Sequence, residues 1–210
     1  MTSQDGGQGP AYRIITSRLT IRCWDPTDAP RLKEAVDLSL DHLRPWMPWA
    51  AHHPQPLQGS IDLLRRFRGN FDLGQDYVYG ILTRDETMVL GGTGLHPRGG
   101  EGSREIGYWI RADQINKGYA TEAAAALTRV GFEIEKLRRM GIHCDVNNAR
   151  SAAVPPKLGY VHEATLRRRL RANDTFHDEM VWTMLAEEYP GSPASCAVFE
   201  AYDAAGRRIE

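Results

Sequence analysis

A turn able to hold an anion is the most legible chemistry in the chain. Between Glu105 and Glu122 the sequence reads EIGYWIRADQINKGYATE, and its first six residues are rich in Ile, Tyr and Trp. They read as a strand. From Gly118 onward, Ala120, Ala123, Ala124, Leu127, Val130, Ile134 and Leu137 recur at spacings of three and four, the period of one helix face. A strand therefore enters a helix through a polar turn. The first amides of a helix have no internal partner and sit at the positive end of its dipole, so this turn can hold a phosphate without a metal.

Other groups of reactive residues carry less. His52 and His53 have no third ligand at helical or strand spacing, so no metal is expected. Gly91-Gly92-Thr93-Gly94 is followed by no Lys-Ser/Thr pair and lies within a strand, which reads as a bulge or a close approach of backbones. Arg167, Arg168, Arg169 and Arg171 divide between the two faces of a strand, with no interleaved aromatic stripe, so no nucleic acid partner is expected.

The elements that position these residues follow from pattern. Leu19–Cys23 alternates as a half-buried strand, and Asp25 to Asp28 supplies turn and cap residues before a helix carrying Leu32, Ala35, Val36 and Leu40. A proline-rich loop holding Trp46 and Trp49 leads to a helix over Leu57 to Phe71. Tyr77–Thr83 and Met88–His96 form a hairpin, and Pro97 to Ser103 is a Gly-rich loop. After the central strand and helix come a strand over Gly141–Val146, a short helix over Asn147–Lys157 interrupted by Pro155 and Pro156, and a long hairpin, Tyr160–Arg171 with Phe176–Leu185. The order is β-α-α-β-β-β-α-β-α-β-β. Residues 1–12 are expected to be a disordered lead-in, 13–189 one domain, and 190–210 a C-terminal extension with a small hairpin.

Composition sets the outer limits. With 41% hydrophobic and 25% charged residues, a single globular core is expected. A net charge of -1 gives no global pull toward nucleic acid or anionic membrane. Three scattered cysteines without CxxC spacing suggest neither disulfides nor zinc, and no apolar run approaches the ~18 residues of a membrane span. A cytoplasmic protein is expected.

In that order, LTIR at Leu19–Arg22, LRPWMPW at Leu43–Trp49, EIGYWI at Glu105–Ile110, NKGYATEA at Asn116–Ala123, NARS at Asn148–Ser151 and KLGY at Lys157–Tyr160 resemble the GNAT superfamily of acyl-CoA-dependent N-acyltransferases, RimJ/RimL type. The resemblance covers about Arg18 to Tyr189. It implies an α/β fold with a mixed, splayed β-sheet flanked by helices, and acetyl-CoA as cosubstrate in the opening. It also places the cofactor on Trp109, Ile110, Asn116, Lys117, Gly118, Tyr119, Ala120, Thr121 and Asn148. The acceptor side falls to Trp46 and Trp49, and the catalytic roles to Glu105 as base, acting through water, and Ser151 near the sulfur. A homodimer is implied by the same analogy.

The departures from the family pattern bear on chemistry. Ile115 stands where Gln or Arg is usual and Asn116 where many relatives carry Gly, so the cradle must work through backbone amides. Pro155 replaces a frequent Tyr acid, and Leu170 falls where a second Glu base is expected. An α-amine with a pKa near ~8 is roughly a tenth neutral at pH 7, whereas a lysine near ~10.4 is neutral in about one molecule in a few thousand. A weakened base therefore favours a peptide N-terminal α-amine, acetylated by direct attack. The alternatives are a small-molecule or antibiotic amine, another donor such as succinyl-CoA, or a non-catalytic CoA-binding module. The arginine cluster can serve as a solvated edge or contact an acidic acceptor or the acidic part of CoA.

Overall fold

The computed structural model describes residues 10–172 and 175–209. The chain enters with β1 (Arg13–Ile15) and β2 (Leu19–Cys23), then α1 (Ala29–Asp37), the single turn α2 (Leu40–Leu43) and α3 (Leu57–Asp72). β3 (Tyr77–Thr83), β4 (Val89–His96) and β5 (Ser103–Ile110) form a meander leading to α4 (Tyr119–Arg129), which ends in a π-helical turn over Val130–Ile134. β6 (Arg139–Asp145), the single turns α5 (Ala149–Ala152) and α6 (Pro155–Leu158), and the hairpin β7 (Val161–Ala172) and β8 (Thr175–Leu185) follow. The chain closes with β9 (Glu200–Tyr202) and β10 (Arg208–Ile209).

Among the described residues the strands form one sheet in the order β10-β9-β1-β2-β3-β4-β5-β6-β8-β7. All pairs are antiparallel except β5 with β6. Alternation along the strands divides the apolar residues between two faces. One face packs Ile21, Ile81, Leu95, Ile106 and Ile142 against Ala123, Ala124 and Leu127 of α4. The other packs Leu82, Val89 and Trp24 against Leu32 and Val36 of α1 and Leu64 of α3.

Several expected boundaries change. β1 escapes pattern reading because three residues, Arg-Ile-Ile, are too short to show alternation; its pairing with both β2 and β9 joins the terminal hairpin to the main sheet. The lead-in expected over 1–12 is partly structured, since Ala11 is fully buried and the Tyr12 amide bonds Tyr202 O at 2.8 Å. Residues 1–9 of it lie outside the described residues. The helix expected to continue to Leu137 leaves α geometry after Arg129. Instead of interrupting one helix, Pro155 and Pro156 open α6, where their missing N–H groups cost nothing. Opposite the glycine run, the register of β3 and β4 shifts between Ile81 and Leu82, and a β-carbon on Gly91 would stand 2.0 Å from Trp109 O. This is the bulge and close backbone approach that the glycines indicated.

Candidate active site

The cleft begins where two strands part. β5 and β6 pair through Ser103↔Arg139, Arg104↔Met140 and Glu105↔Gly141, and there the parallel ladder stops. Ile106–Ile110 forms one lip and Ile142–Asp145 the other. The Arg111 amide bonds Leu90 O on the β4 side. By strand alternation the peptide groups of Tyr108 and Ile110 face the opposite way, into the opening. An N–H there can polarise a carbonyl oxygen.

At the end of β5 the chain turns through Ile115, in extended backbone, then Asn116 at φ 61° and Gly118 at φ 81°. Gly118 is the N-cap of α4 and has no side chain to accept from the first helix amides. The first bond of the helix is Glu122 N–H to Gly118 O, so the amides of Tyr119, Ala120 and Thr121 lie ahead of the ladder with the dipole behind them. Lys117 Nζ donates to Gln114 Oε1 at 2.8 Å.

Arg18, which no local pattern indicated, clamps this turn. Its Nη1 donates to Lys117 O at 2.9 Å, its Nε to Glu122 Oε2 at 2.6 Å, and its guanidinium lies 4.8 Å from the Tyr119 ring centre. Glu122 also accepts from Thr16 Oγ1 at 2.6 Å and the Arg18 amide at 3.0 Å. Burial works against the charged form of Glu122, yet these bonds outweigh it and hold the carboxyl below its usual range.

On the α4 side of the cleft Tyr108 OH lies 3.2 Å from both Ser151 Oγ and Ser151 O. Burial pushes the Tyr108 phenol well above its ordinary value, and the Ser151 bond opposes this only in part, so Tyr108 keeps its proton at neutral pH. Burial likewise raises the neighbouring Cys144 thiol, against a hydrogen bond from Ser151. Asn148 accepts the Ser151 amide on Oδ1 at 3.1 Å, capping α5, which leaves its Nδ2 as the group free to meet a ligand.

The α1/α3 side has different walls. Glu105, at the fork, receives Arg98 Nη1 at 2.6 Å, while its other oxygen lies 3.5 Å from His143 Nδ1. Its ion-pair partner is thus Arg98, while Arg104 binds Glu135. His143 Nδ1 is also 3.6 Å from Glu179, a carboxylate of β8, while Leu170 pairs with His177 farther along the hairpin. His177 bonds Asp145, whose other oxygen holds the Asn147 amide at 2.8 Å. The Trp109 indole lies over Gly92 on this face and meets the Trp49 ring edge-on at 5.9 Å. Trp46 is half-buried after α2, Ile110 is buried in the core, and His53 packs against Trp49.

His96 is another residue that motif reading missed. Its Nδ1 lies 2.9 Å from Asp76 Oδ1, and its ring lies over Gly94 and Gly107. The signal was present as Gly92, Gly94 and His96 at spacing two, which puts an imidazole above a strip without side chains.

A family model described as an acetyltransferase (GNAT) domain matches residues 18–161. The [ribosomal protein uS5]-alanine N-acetyltransferase of Escherichia coli (strain K12) is 24% identical over 188 residues, covering 87% of this chain and 95% of that protein. The ribosomal-protein-serine acetyltransferase of the same organism is 24% identical, covering 77% of this chain and 98% of that protein. Among solved structures, Mycobacterium smegmatis RimJ in complex with CoA-disulfide superposes with a TM-score of 0.76 at 25% identity, covering 89% of this chain and 90% of that one.

Proposed function

Because the chain belongs to the GNAT acetyltransferase family, an acetyl-CoA-dependent class of enzymes that acetylate amines, we propose that its acceptor is the α-amine of a peptide or protein N-terminus. The observation that carries this reading is the shape of the α1/α3 side of the cleft. Without β-carbons on Gly92, Gly94 and Gly107, the Trp109 indole and the His96 ring lie flat on the sheet as its floor, and Trp49 meets Trp109 as one wall. Rings laid flat on the sheet beside that wall form a shallow surface that accommodates an extended chain end. The alanine and serine acetyltransferase names of the two relatives support the same acceptor class.

The roles follow from position. Backbone amides over Asn116–Thr121 hold the pyrophosphate, with Lys117 and Arg18 supplying positive charge beside it. Asn148 and the backbone of Ile110 border the pantetheine arm, Trp109 stands on the acceptor wall instead, and the peptide groups of Tyr108 and Ile110 face the thioester oxygen. Attack is direct, within a ternary complex. Tyr108 and Ser151 form the donor pair for the departing thiolate, since a phenol that keeps its proton can share it when charge appears on sulfur. Glu105, its carboxylate paired with Arg98, stands at the fork where the neutral amine enters.

A cytoplasmic site of action and a homodimer complete the reading; the free cysteines Cys23, Cys144 and Cys196 support the former. Among the described residues no helix is long and apolar enough to cross a membrane. The test is thiol release from acetyl-CoA with hexapeptides beginning with Ser or Ala, set beside spermidine and tryptamine. Release with the peptides at much higher kcat/KM supports the reading. Release with the small amines alone replaces it with small-molecule acetylation.

A further inference from the structure

Direct attack leaves the amine with one proton too many, and Leu170 stands where a second carboxylate base was expected. Both oxygens of Glu105 already face cations or potential cations, Arg98 at 2.6 Å and His143 at 3.5 Å. A lone pair is available elsewhere on the same face. β4 and β5 pair His96 with Glu105, Gly94 with Gly107 and Gly92 with Trp109, so these six residues share one side of the sheet. Glu105 is the last residue of β5 paired to β6, which puts Gly107 on the free lip of the cleft.

The His96 ring folds back along this strip. A β-carbon on Gly94 would lie 2.8 Å from both its Cε1 and its Nε2, and one on Gly107 would lie 3.2 Å from Nε2. The missing side chains are what let the ring lie there, with Nε2 over the lip. Its other nitrogen is 2.9 Å from Asp76 Oδ1. A carboxylate can only accept, so Nδ1 carries the hydrogen of the neutral imidazole and Nε2 keeps the lone pair. Among the described residues, the other titratable or charged groups beside the ring on this side of the sheet are Glu105 on β5, Arg98, whose amide bonds His96 O at 2.7 Å, His143 on β6 behind Glu105, and Glu179 on β8, 3.6 Å from His143 Nδ1.

We propose that His96 accepts the proton of the attacking amine, with Asp76 as the residue that positions its ring. The proposal rests on direct amine attack as read above. The nitrogen lone pair forms the C–N bond to the thioester carbon, and the carbonyl pair moves to oxygen. One N–H proton passes to His96 Nε2. Collapse restores the carbonyl and breaks the C–S bond, the pair leaving on sulfur, which takes a proton from the Tyr108–Ser151 pair; the proton on His96 passes to solvent, which returns one to that pair. Amide and CoA thiol result, and no oxidant or metal is consumed.

The test compares His96→Gln, His96→Gly, Asp76→Asn and Asp76→Glu with the wild-type enzyme, using acetyl-CoA and the peptide and small-amine panel. His96→Gln is expected to lower kcat by about 10²–10⁴-fold. Calorimetric affinity for acetyl-CoA should stay within about threefold and the Tm close to that of the wild type. Added imidazole should restore part of the turnover of His96→Gly. Asp76→Asn should displace the acidic limb of the pH profile of kcat/KM, and Asp76→Glu should bring it back. A His96→Gln enzyme with near-wild-type kcat overturns the proposal. So does one whose kcat, CoA affinity and Tm fall together without imidazole rescue, because the ring would then be structural. If only small amines are acetylated, the peptide reading fails while the variant-to-wild-type ratio still decides the role of His96. If no amine is acetylated, both fail.

Discussion

Tyr108 on β5 and Ser151 on α5 meet across the mouth of the splayed strands, hydroxyl to hydroxyl at 3.2 Å. The contact joins the free lip of β5 to the turn that opens α5. Replacing Ser151 with Ala should lower kcat by about 10–100-fold and leave acetyl-CoA affinity nearly unchanged. Tyr108→Phe should behave alike, and the double variant should cost less than the product of the two, because the pair acts as one donor. Steady-state kinetics with direct CoA titration checks this, and a full kcat in Ser151→Ala removes Ser151 from the reaction.

The turn before α4 makes a sharper demand on binding than on rate. Gly118 holds φ 81°, and a β-carbon there would meet Arg18 Nη2 only at 3.5 Å, so space is adequate and backbone conformation is the constraint. A left-handed β-branched residue costs about 1–2 kcal/mol. Gly118→Val should therefore raise the acetyl-CoA Kd by about tenfold or more as the turn relaxes, with the acceptor KM little changed. Unchanged CoA titration would contradict the assignment of this turn.

Trp49, 36% exposed and edge-on to Trp109, should govern acceptor and not cofactor. Trp49→Ala is expected to raise the peptide KM by about tenfold, the scale of losing an aromatic anchor from a chain-binding surface. Its acetyl-CoA Kd should match that of the wild type. An equal loss in both would indicate that the loop collapses when the ring is removed.

Glu122 gives the fold a defined acid response. Its folded-state pKa is held below the usual value of 4.5, against burial, by bonds from Thr16 and Arg18. A depressed carboxyl contributes stability that is fully present above its unfolded pKa and is lost as pH falls through the folded one. Thermal melts between pH 7 and pH 3 should therefore show Glu122→Gln destabilised most at neutral pH, with the gap to wild type closing below about pH 4. A gap independent of pH would mean that the carboxylate charge contributes nothing.

The strand-turn-helix at Glu105–Glu122 was legible because the apolar period switches within one continuous stretch, from a strand into the face led by Ala120, Ala123 and Leu127. The β3–β4 and β7–β8 hairpins were legible for a similar local reason. Arg18 was not, because it reaches Lys117 across 99 residues of chain and only the packing of β2 against α4 brings it there. His96 and Tyr108 were hidden differently. Each lies in a stretch read correctly as strand, but its face and partner depend on register, and register is set by the bulge opposite Gly91 and by the fork at Glu105. The Glu105–Arg98 pair follows the course of the Gly-rich loop, which no alternation pattern describes.

The most direct test of the acceptor assignment is to locate the acetyl group by fragment mass spectrometry after incubating the enzyme with acetyl-CoA and two peptides. One begins with a free Ser α-amine and contains no lysine; the other has a blocked N-terminus and carries lysine. Acetyl on the serine α-nitrogen of the first peptide, with the second unmodified, is the predicted result. Acetyl on the lysine of the second, or on neither while CoA binds, would contradict it.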